Sequence, residues 1–226
     1  DCDLYTLSSV YGQMAELYHY QFLPNEELKA LDICEKIDLM ANDTIQAIKS
    51  YELHLRPYLL LNIKDSVLAI TRNARRRYLE RNCKQQAARL LGPAIGIYLD
   101  KNEIDSARKY MEIFEKESGF FTNGKITSTK AKMYYFCKGR MHTMTNNVDS
   151  AKYYFAELEK GGWKEAAYEG FVKLYKNTNK PDSLAKYASL YVVANDSARA
   201  STTCCTPSIT TSFTVLSSFR RGSCSR

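Results

Sequence analysis

Apolar residues return along this chain at i, i+3, i+4 and i+7, the stripe that gives a helix one face for a core. The clearest sets are Ala107, Tyr110, Met111 and Phe114; Ala151, Tyr154, Phe155 and Leu158; and Leu184, Tyr187, Ala188 and Tyr191. Val67, Ile70, Thr71 and Ala74 form a weaker version, and Ala30, Ile33, Cys34 and Ile37 an N-terminal one. Sixteen and nine residues before four of these stripes stand Tyr51 and Tyr58, Leu91 and Tyr98, Tyr135 and His142, and Tyr168 and Tyr175. A separation of seven places each pair on one helix face. Each unit therefore reads as a helix A, a short turn and a helix B.

The turns share a wording. Asn62, Asn102, Asn146 and Asn179 are each followed by two variable residues and then Asp-Ser, at Asp65-Ser66, Asp105-Ser106, Asp149-Ser150 and Asp182-Ser183. Asn tolerates the left-handed backbone at which a helix stops. Asp and Ser offer acceptors to the free N–H groups of the next helix, and Asp suits the positive end of its dipole. The N-terminal unit keeps Asn25 without the Asp-Ser pair. Stripe openings at Ala30, Val67, Ala107, Ala151 and Leu184 lie 37, 40, 44 and 33 residues apart. Units of this size bury their faces only by stacking on neighbours. The pattern predicts ten helices in five antiparallel pairs over residues 3–197, turning at those five Asn. Helix starts are expected near Asp65, Asp105, Asp149 and Asp182. Pro57 and Pro93 fall inside A helices and should kink or shorten them. The Gly/Ser/Thr-rich stretch 119–129, with Phe120 and Phe121, reads as a loop.

These units resemble tetratricopeptide repeats, which run from a large residue to a Tyr seven on, then an Asn or Gly turn and an Ala opening helix B ahead of an aromatic residue. The best copies are Leu91, Tyr98, Asn102, Ala107 and Tyr110, and Tyr168, Tyr175, Asn179, Leu184 and Tyr187. The Asp-Ser-Ala-x-x-Tyr wording is similar to tetratricopeptide regions of extracytoplasmic Bacteroidetes proteins. The resemblance covers residues 3–197, and departs from the family in its uneven spacing and in Pro181, which occupies a turn. It implies an all-α fold: an α-solenoid of about five antiparallel helix hairpins. It also implies a non-catalytic scaffold, or the sensor or docking region of a signalling protein, binding a peptide or protein in the groove lined by helices A. An extracytoplasmic, periplasmic setting follows from the same likeness, with a cytoplasmic one as the alternative. A-helix positions off the packing stripe are the expected protein-binding residues. These are Phe136 and Arg140 in the fourth unit and Glu169, Lys173 and Lys176 in the fifth. Arg and Lys would hold a partner's carboxylates and Phe136 would anchor it.

Composition changes this picture in two places. The net charge of +7 is concentrated: residues 71–90 hold six Arg, one Lys and one Glu. Arg72, Arg75, Arg76, Arg77 and Arg81, with Lys84 and Arg89, therefore carry a second reading, a nucleic-acid-associated helical protein using segment 72–89. A solvated face complementing a helix dipole, or one meeting an acidic protein or anionic lipid, competes with it. From Ala200 onward, 13 of 27 residues are Ser or Thr and there is no Asp, Glu or Lys. Residues 1–199 thus read as the helical domain. Residues 200–226 read as a poorly packed tail, either disordered or a foreign ending, although Thr210–Phe219 has strand propensity.

Candidate chemistry is sparse. His19, His54 and His142 have no partners at ligand spacing, and His142 stands where other units have Tyr. No phosphate-binding Gly-rich loop or nucleophile elbow occurs, and Glu165 and Glu169 form a common solvated pair. The expectation is a protein that is not an enzyme, with no cofactor or metal and no membrane span. Of seven cysteines, Cys34 and Cys137 read as buried thiols. Adjacent Cys204 and Cys205 suit neither a zinc site nor an ordinary disulfide. A start at Asp1-Cys2 without Met suggests a processed or trimmed product.

Overall fold

The computed structural model describes residues 3–122, 125–126 and 132–204. These residues are all-helical apart from an antiparallel pair of two-residue strands, β1 (Phe121–Thr122) and β2 (Lys125–Ile126), inside the expected loop. The helices are α1 (Leu4–Tyr20), α2 (Pro24–Met40), α3 (Thr44–Leu53), α4 (Leu55–Leu60), α5 (Lys64–Glu80) and α6 (Lys84–Arg89). They continue as α7 (Leu91–Asp100), α8 (Ile104–Glu117), α9 (Lys132–Met144), α10 (Val148–Lys160), α11 (Lys164–Asn177) and α12 (Pro181–Cys204). Two compact units divide the described residues, one of them holding 3–61 and the other 62–198.

Proline explains why twelve helices stand where ten were expected. α3 gives way to α4 at His54 and α6 to α7 at Leu90, each three residues before a proline, Pro57 or Pro93. Pro lacks the N–H for the residue four back and its ring crowds that carbonyl, so the helix must readjust there. Counting each broken pair as one gives ten helical segments.

One turn design serves most junctions. Asn42, Asn62, Asn82, Asn102, Asn146 and Asn179 all sit at φ between 50° and 58°, and Gly162 at 82°. At Asn102 the Lys101, Asn102 and Glu103 N–H groups donate back to the carbonyls of Ile97, Leu99 and Tyr98. The same reach of five residues recurs from Asp43 to Asp38, Cys83 to Tyr78, Asn147 to His142, Trp163 to Leu158 and Lys180 to Tyr175. This closes the free carbonyls at a helix end. The residue after the left-handed one then caps the next helix, so three residues reverse the chain.

Three expectations about these turns need correction. Asn25 does not turn; it lies in the first turn of α2, and Phe22 takes the left-handed position at φ 55°. The Asp residues start helices as expected, but at the second helical position. Asp65, Asp105 and Asp149 are 93%, 98% and 99% exposed and do not cap. Ile63 and Glu103 occupy the cap positions without a side-chain bond, and at α10 Asn147 accepts from the Ser150 N–H. Asp therefore acts through the helix dipole and through i,i+3 pairs with Arg108 and Lys152. The third point is that Asn42, Asn82 and Gly162 turn the chain between units, where no Asp-Ser follows to mark them.

In the first unit α2 packs against α1, α3 and α4. In the second, α7 meets α8 and α9, and α9 meets α10 and α11. The stripes Val67, Ile70, Thr71 and Ala74, then Ala107, Met111 and Phe114, then Ala151, Phe155 and Leu158 are buried as expected. Ile33 departs from its stripe and is exposed. Phe155, from α10, is held between two helices by glycine: a Cβ on Gly139 of α9 or Gly170 of α11 would come within 2.5 and 2.3 Å of its ring. α12 lies on α11 through Tyr187, Leu190 and Tyr191, and its described side chains are at most half-buried. The helix runs on to Cys204, past the composition break at Ala200. Cys2, Cys205, Cys224 and the strand-like stretch Thr210–Phe219 lie outside the described residues.

Candidate interaction surface

Three consecutive A-type helices, α7, α9 and α11, pack in sequence within the second unit. Close approach of α7 to α9 is made possible by Gly92, whose missing Cβ leaves 3.1 Å to Met133. Cys137 is buried in the same seam, its thiol directed at the Gly92 carbonyl. Burial pushes that thiol up to about 12, so it is not a nucleophile at neutral pH.

Arg140 and Phe136 occupy the side of α9 between its two neighbours. The Arg140 guanidinium stands 5.6 Å from the Phe136 ring centre and donates to Asp100 at the end of α7 at 2.6 Å. Lys64 at the start of α5 approaches the other Asp100 oxygen at 2.9 Å. Burial opposes ionisation of Asp100, yet hydrogen bonds from Lys64 and Arg140 outweigh it and hold the carboxyl below its ordinary value. Phe136 is half-buried against the α10–α11 core. On α11, Glu169 and Lys173 pair with each other, and Lys176 is exposed without an ion pair among the described residues. The five expected residues therefore fall on two adjacent helices. Arg140 is already committed to Asp100, which leaves Lys176 and the Lys173 edge as the available cations.

A second feature of this unit is its ring pairs. Tyr98 meets Tyr110, His142 stacks on Tyr154 and Tyr175 stacks on Tyr187, with ring centres 5.3, 5.5 and 5.4 Å apart. In every case the two residues are twelve apart and clasp an Asn turn. His142 is thus a packing ring as expected, and burial holds its pKa below the ordinary value. Beside it, Glu115 on α8 receives the Tyr134 hydroxyl at 2.7 Å and Lys138 at 2.8 Å.

The first unit holds the only other dense polar chemistry among the described residues. Asp38, 2% exposed, accepts the Ser8 and Ser50 hydroxyls at 2.5 and 2.6 Å, with the buried Cys34 thiol alongside. His54 is buried with Nε2 3.0 Å from Asp32 and Nδ1 facing the Ser50 and Tyr51 carbonyls. Glu27, fully buried, lies 3.0 Å from Arg56 and 3.1 Å from His19. Asp38, Glu27 and His54 tie neighbouring helices together, while Asp32 and His19 reach the surface at 63% and 35% exposure. No three His, Cys, Asp or Glu among the described residues are placed to hold a metal ion. No described helix is long and apolar enough to cross a membrane.

The basic segment divides by face. Arg72, Arg76 and Arg81 are exposed, while Arg75 and Arg77 are half-buried. Asp100, Lys64 and the Asp38 cluster were not found by sequence reasoning, since partners 12 to 40 residues apart leave no local pattern. The twelve-residue ring pairs did leave one. No family model matches the chain, and comparison with curated proteins and with solved structures likewise returns no match.

Proposed function

We propose that the chain is a non-catalytic protein-interaction scaffold: a tetratricopeptide-like α-solenoid of five helix hairpins that holds a peptide or protein segment along its A helices. A sensor or docking region of an extracytoplasmic signalling protein is the setting that fits the repeat wording. The observation that carries the reading is the side-by-side packing of α7, α9 and α11, with Lys173 and Lys176 exposed on α11 and the half-buried Phe136–Arg140 pair on α9. Stacked hairpins present such a face as an extended surface. A half-exposed ring beside cations fits an acidic segment carrying an apolar anchor.

Panning a random peptide library against the whole chain tests this. Peptides rich in Asp and Glu should be retained. Lys173→Glu combined with Lys176→Glu should release them with helicity unchanged, because both side chains are solvent-facing. Arg140 is a poor choice for charge reversal, since a Glu there would face Asp100. Equal retention of the same peptides by the double variant removes the α11 face from consideration.

A further inference from the structure

The second unit is strongly electropositive. Residues 62–198 carry 24 Lys and Arg against 15 Asp and Glu, and within them α5 concentrates arginine. Arg72 and Arg76 are exposed one turn apart and Arg81 is exposed just past the helix end. Arg76 meets Glu80 at 4.0 Å, the outer limit of an ion pair. Arg72, Arg75 and Arg81 have no acidic partner among the described residues, and Arg75 is anchored by packing, its Nε enclosed. A solvated helix face usually intersperses both signs. Here three exposed guanidinium groups, Arg72, Arg76 and Arg81, with the half-buried Arg75 between them, lie close along the chain with almost no compensation.

We propose that this α5 face binds the phosphate backbone of double-stranded nucleic acid, without reading its sequence. Three observations select this occupant. Arginine, rather than the lysine used along most of the chain, supplies the planar fork that pairs with phosphate oxygens. The one ring among these residues, Tyr78, is 1% exposed, so no base can stack on it and a single strand gains nothing over a duplex. The interleaved Leu79 is half-buried, leaving no exposed apolar wedge for a bilayer. The face is separate from the α11 lysines, so its failure leaves the peptide reading untouched.

Fluorescence anisotropy of the whole chain with a mixed-sequence duplex of about 20 base pairs tests the proposal. Four arginines neutralising phosphates predict a log–log salt slope near −3.6, about a 150-fold loss of affinity between roughly 50 and 200 mM salt. Arg72→Glu with Arg76→Glu should weaken binding at least tenfold and flatten that slope by about two. Lys at both positions should restore most of the salt dependence. Lys173→Glu with Lys176→Glu should change little. No duplex binding at low salt, an equal loss from the α11 variant, or binding to phosphatidylserine vesicles without binding to duplex each overturns the proposal.

Discussion

The described residues of 3–61 and of 62–198 build the same element, helices reversed by three-residue left-handed turns, around different interiors. The first unit places carboxylates in its helix seams: Asp38 ties Ser8 of α1 to Ser50 of α3, and Glu27 sits against Arg56. Its buried apolar residues, Ala15, Ala30, Leu31, Ile37, Ala47, Ile48 and Leu55, are aliphatic rather than aromatic. The second unit uses rings. Phe155 is notched into two glycines, Phe171 stacks on Tyr187 at 4.4 Å, and Tyr pairs clasp the turns. A hydrogen-bonded carboxylate fixes a seam by direction, while a ring in a glycine notch fixes it by shape. The two should therefore fail in different ways.

The largest difference is expected from volume. Gly170→Ala drives a methyl within 2.3 Å of the Phe155 ring, and Gly139 blocks retreat on the other side. An overpacked, closed site of this kind costs about 3 kcal/mol. Phe155→Ala costs about 4 kcal/mol, and the two changes together less than their sum, because the second removes what the first strikes. Urea unfolding of the three variants measures this; strict additivity would show that the ring does not fill the notch. In the first unit the sensitive change is chemical. Asp38→Ala strands two buried hydroxyls and should cost about 2 kcal/mol, whereas Asp38→Asn, which keeps one acceptor, should cost less. Equal losses would mean that the seam depends on packing there too.

pH sharpens the comparison next. Burial raises the hydroxyl pKa values of Tyr98, Tyr134, Tyr135, Tyr154, Tyr168 and Tyr187, all in the second unit, with the Glu115 carboxylate adding to the shift at Tyr134. A folded pKa above the unfolded one means that the unfolded chain releases its proton first. Stability is therefore whole below the ordinary tyrosine value of 10 and declines as pH climbs past it. Asp100 and Glu115 act at the other end. Their folded pKa values are depressed, so their contribution is present above the ordinary carboxylate range and disappears as pH falls through the folded values. Thermal melts should show a stability decline above about pH 10 that becomes shallower in Tyr134→Phe. An unchanged alkaline limb in that variant would remove Tyr134 from the account.

Much of this architecture was legible, and the reason lies in which signals are local. The A and B stripes and the Asn turns are set by residues within one helix or one reversal, so Tyr98, Asn102, Ala107 and Met111 could be placed before any coordinates. Asn42 and Asn82 carry the same backbone chemistry but leave no such signature, because the Asp-Ser pair follows only the other class of turn. The left-handed positions Phe22, Asn42, Asn62, Asn82 and Asn102 in fact recur every twenty residues. The candidate surface was legible only to the level of helix faces. Glu169, Lys173 and Lys176 share one stripe, as spacing requires, but the commitment of Arg140 to Asp100 depends on which helices become neighbours. That is a tertiary fact, and the Asp38 cluster is another.

The smallest expected effect concerns the one junction that breaks the turn rule. Phe22 holds φ 55°, where the other non-glycine turns have Asn, and its ring is 59% exposed. A bulky residue in left-handed backbone carries a steric cost of about 1 kcal/mol that Asn largely escapes, its side chain being shorter and able to bond locally. The backbone bonds of the reversal, Gln21 N–H to Leu17, Phe22 N–H to His19 and Leu23 N–H to Tyr18, survive the substitution because none involves the side chain. Phe22→Asn should therefore raise stability by about 1 kcal/mol, the opposite sign from the other variants, and Phe22→Gly somewhat less because glycine gains more freedom on unfolding. Chemical denaturation of both variants reads this directly. If Phe22→Asn instead destabilises, the exposed ring contributes more to holding α1 against α2 than the backbone strain costs. The first unit would then depend on an aromatic residue at its turn, as the second does, and the contrast between carboxylate and ring would fail at that point.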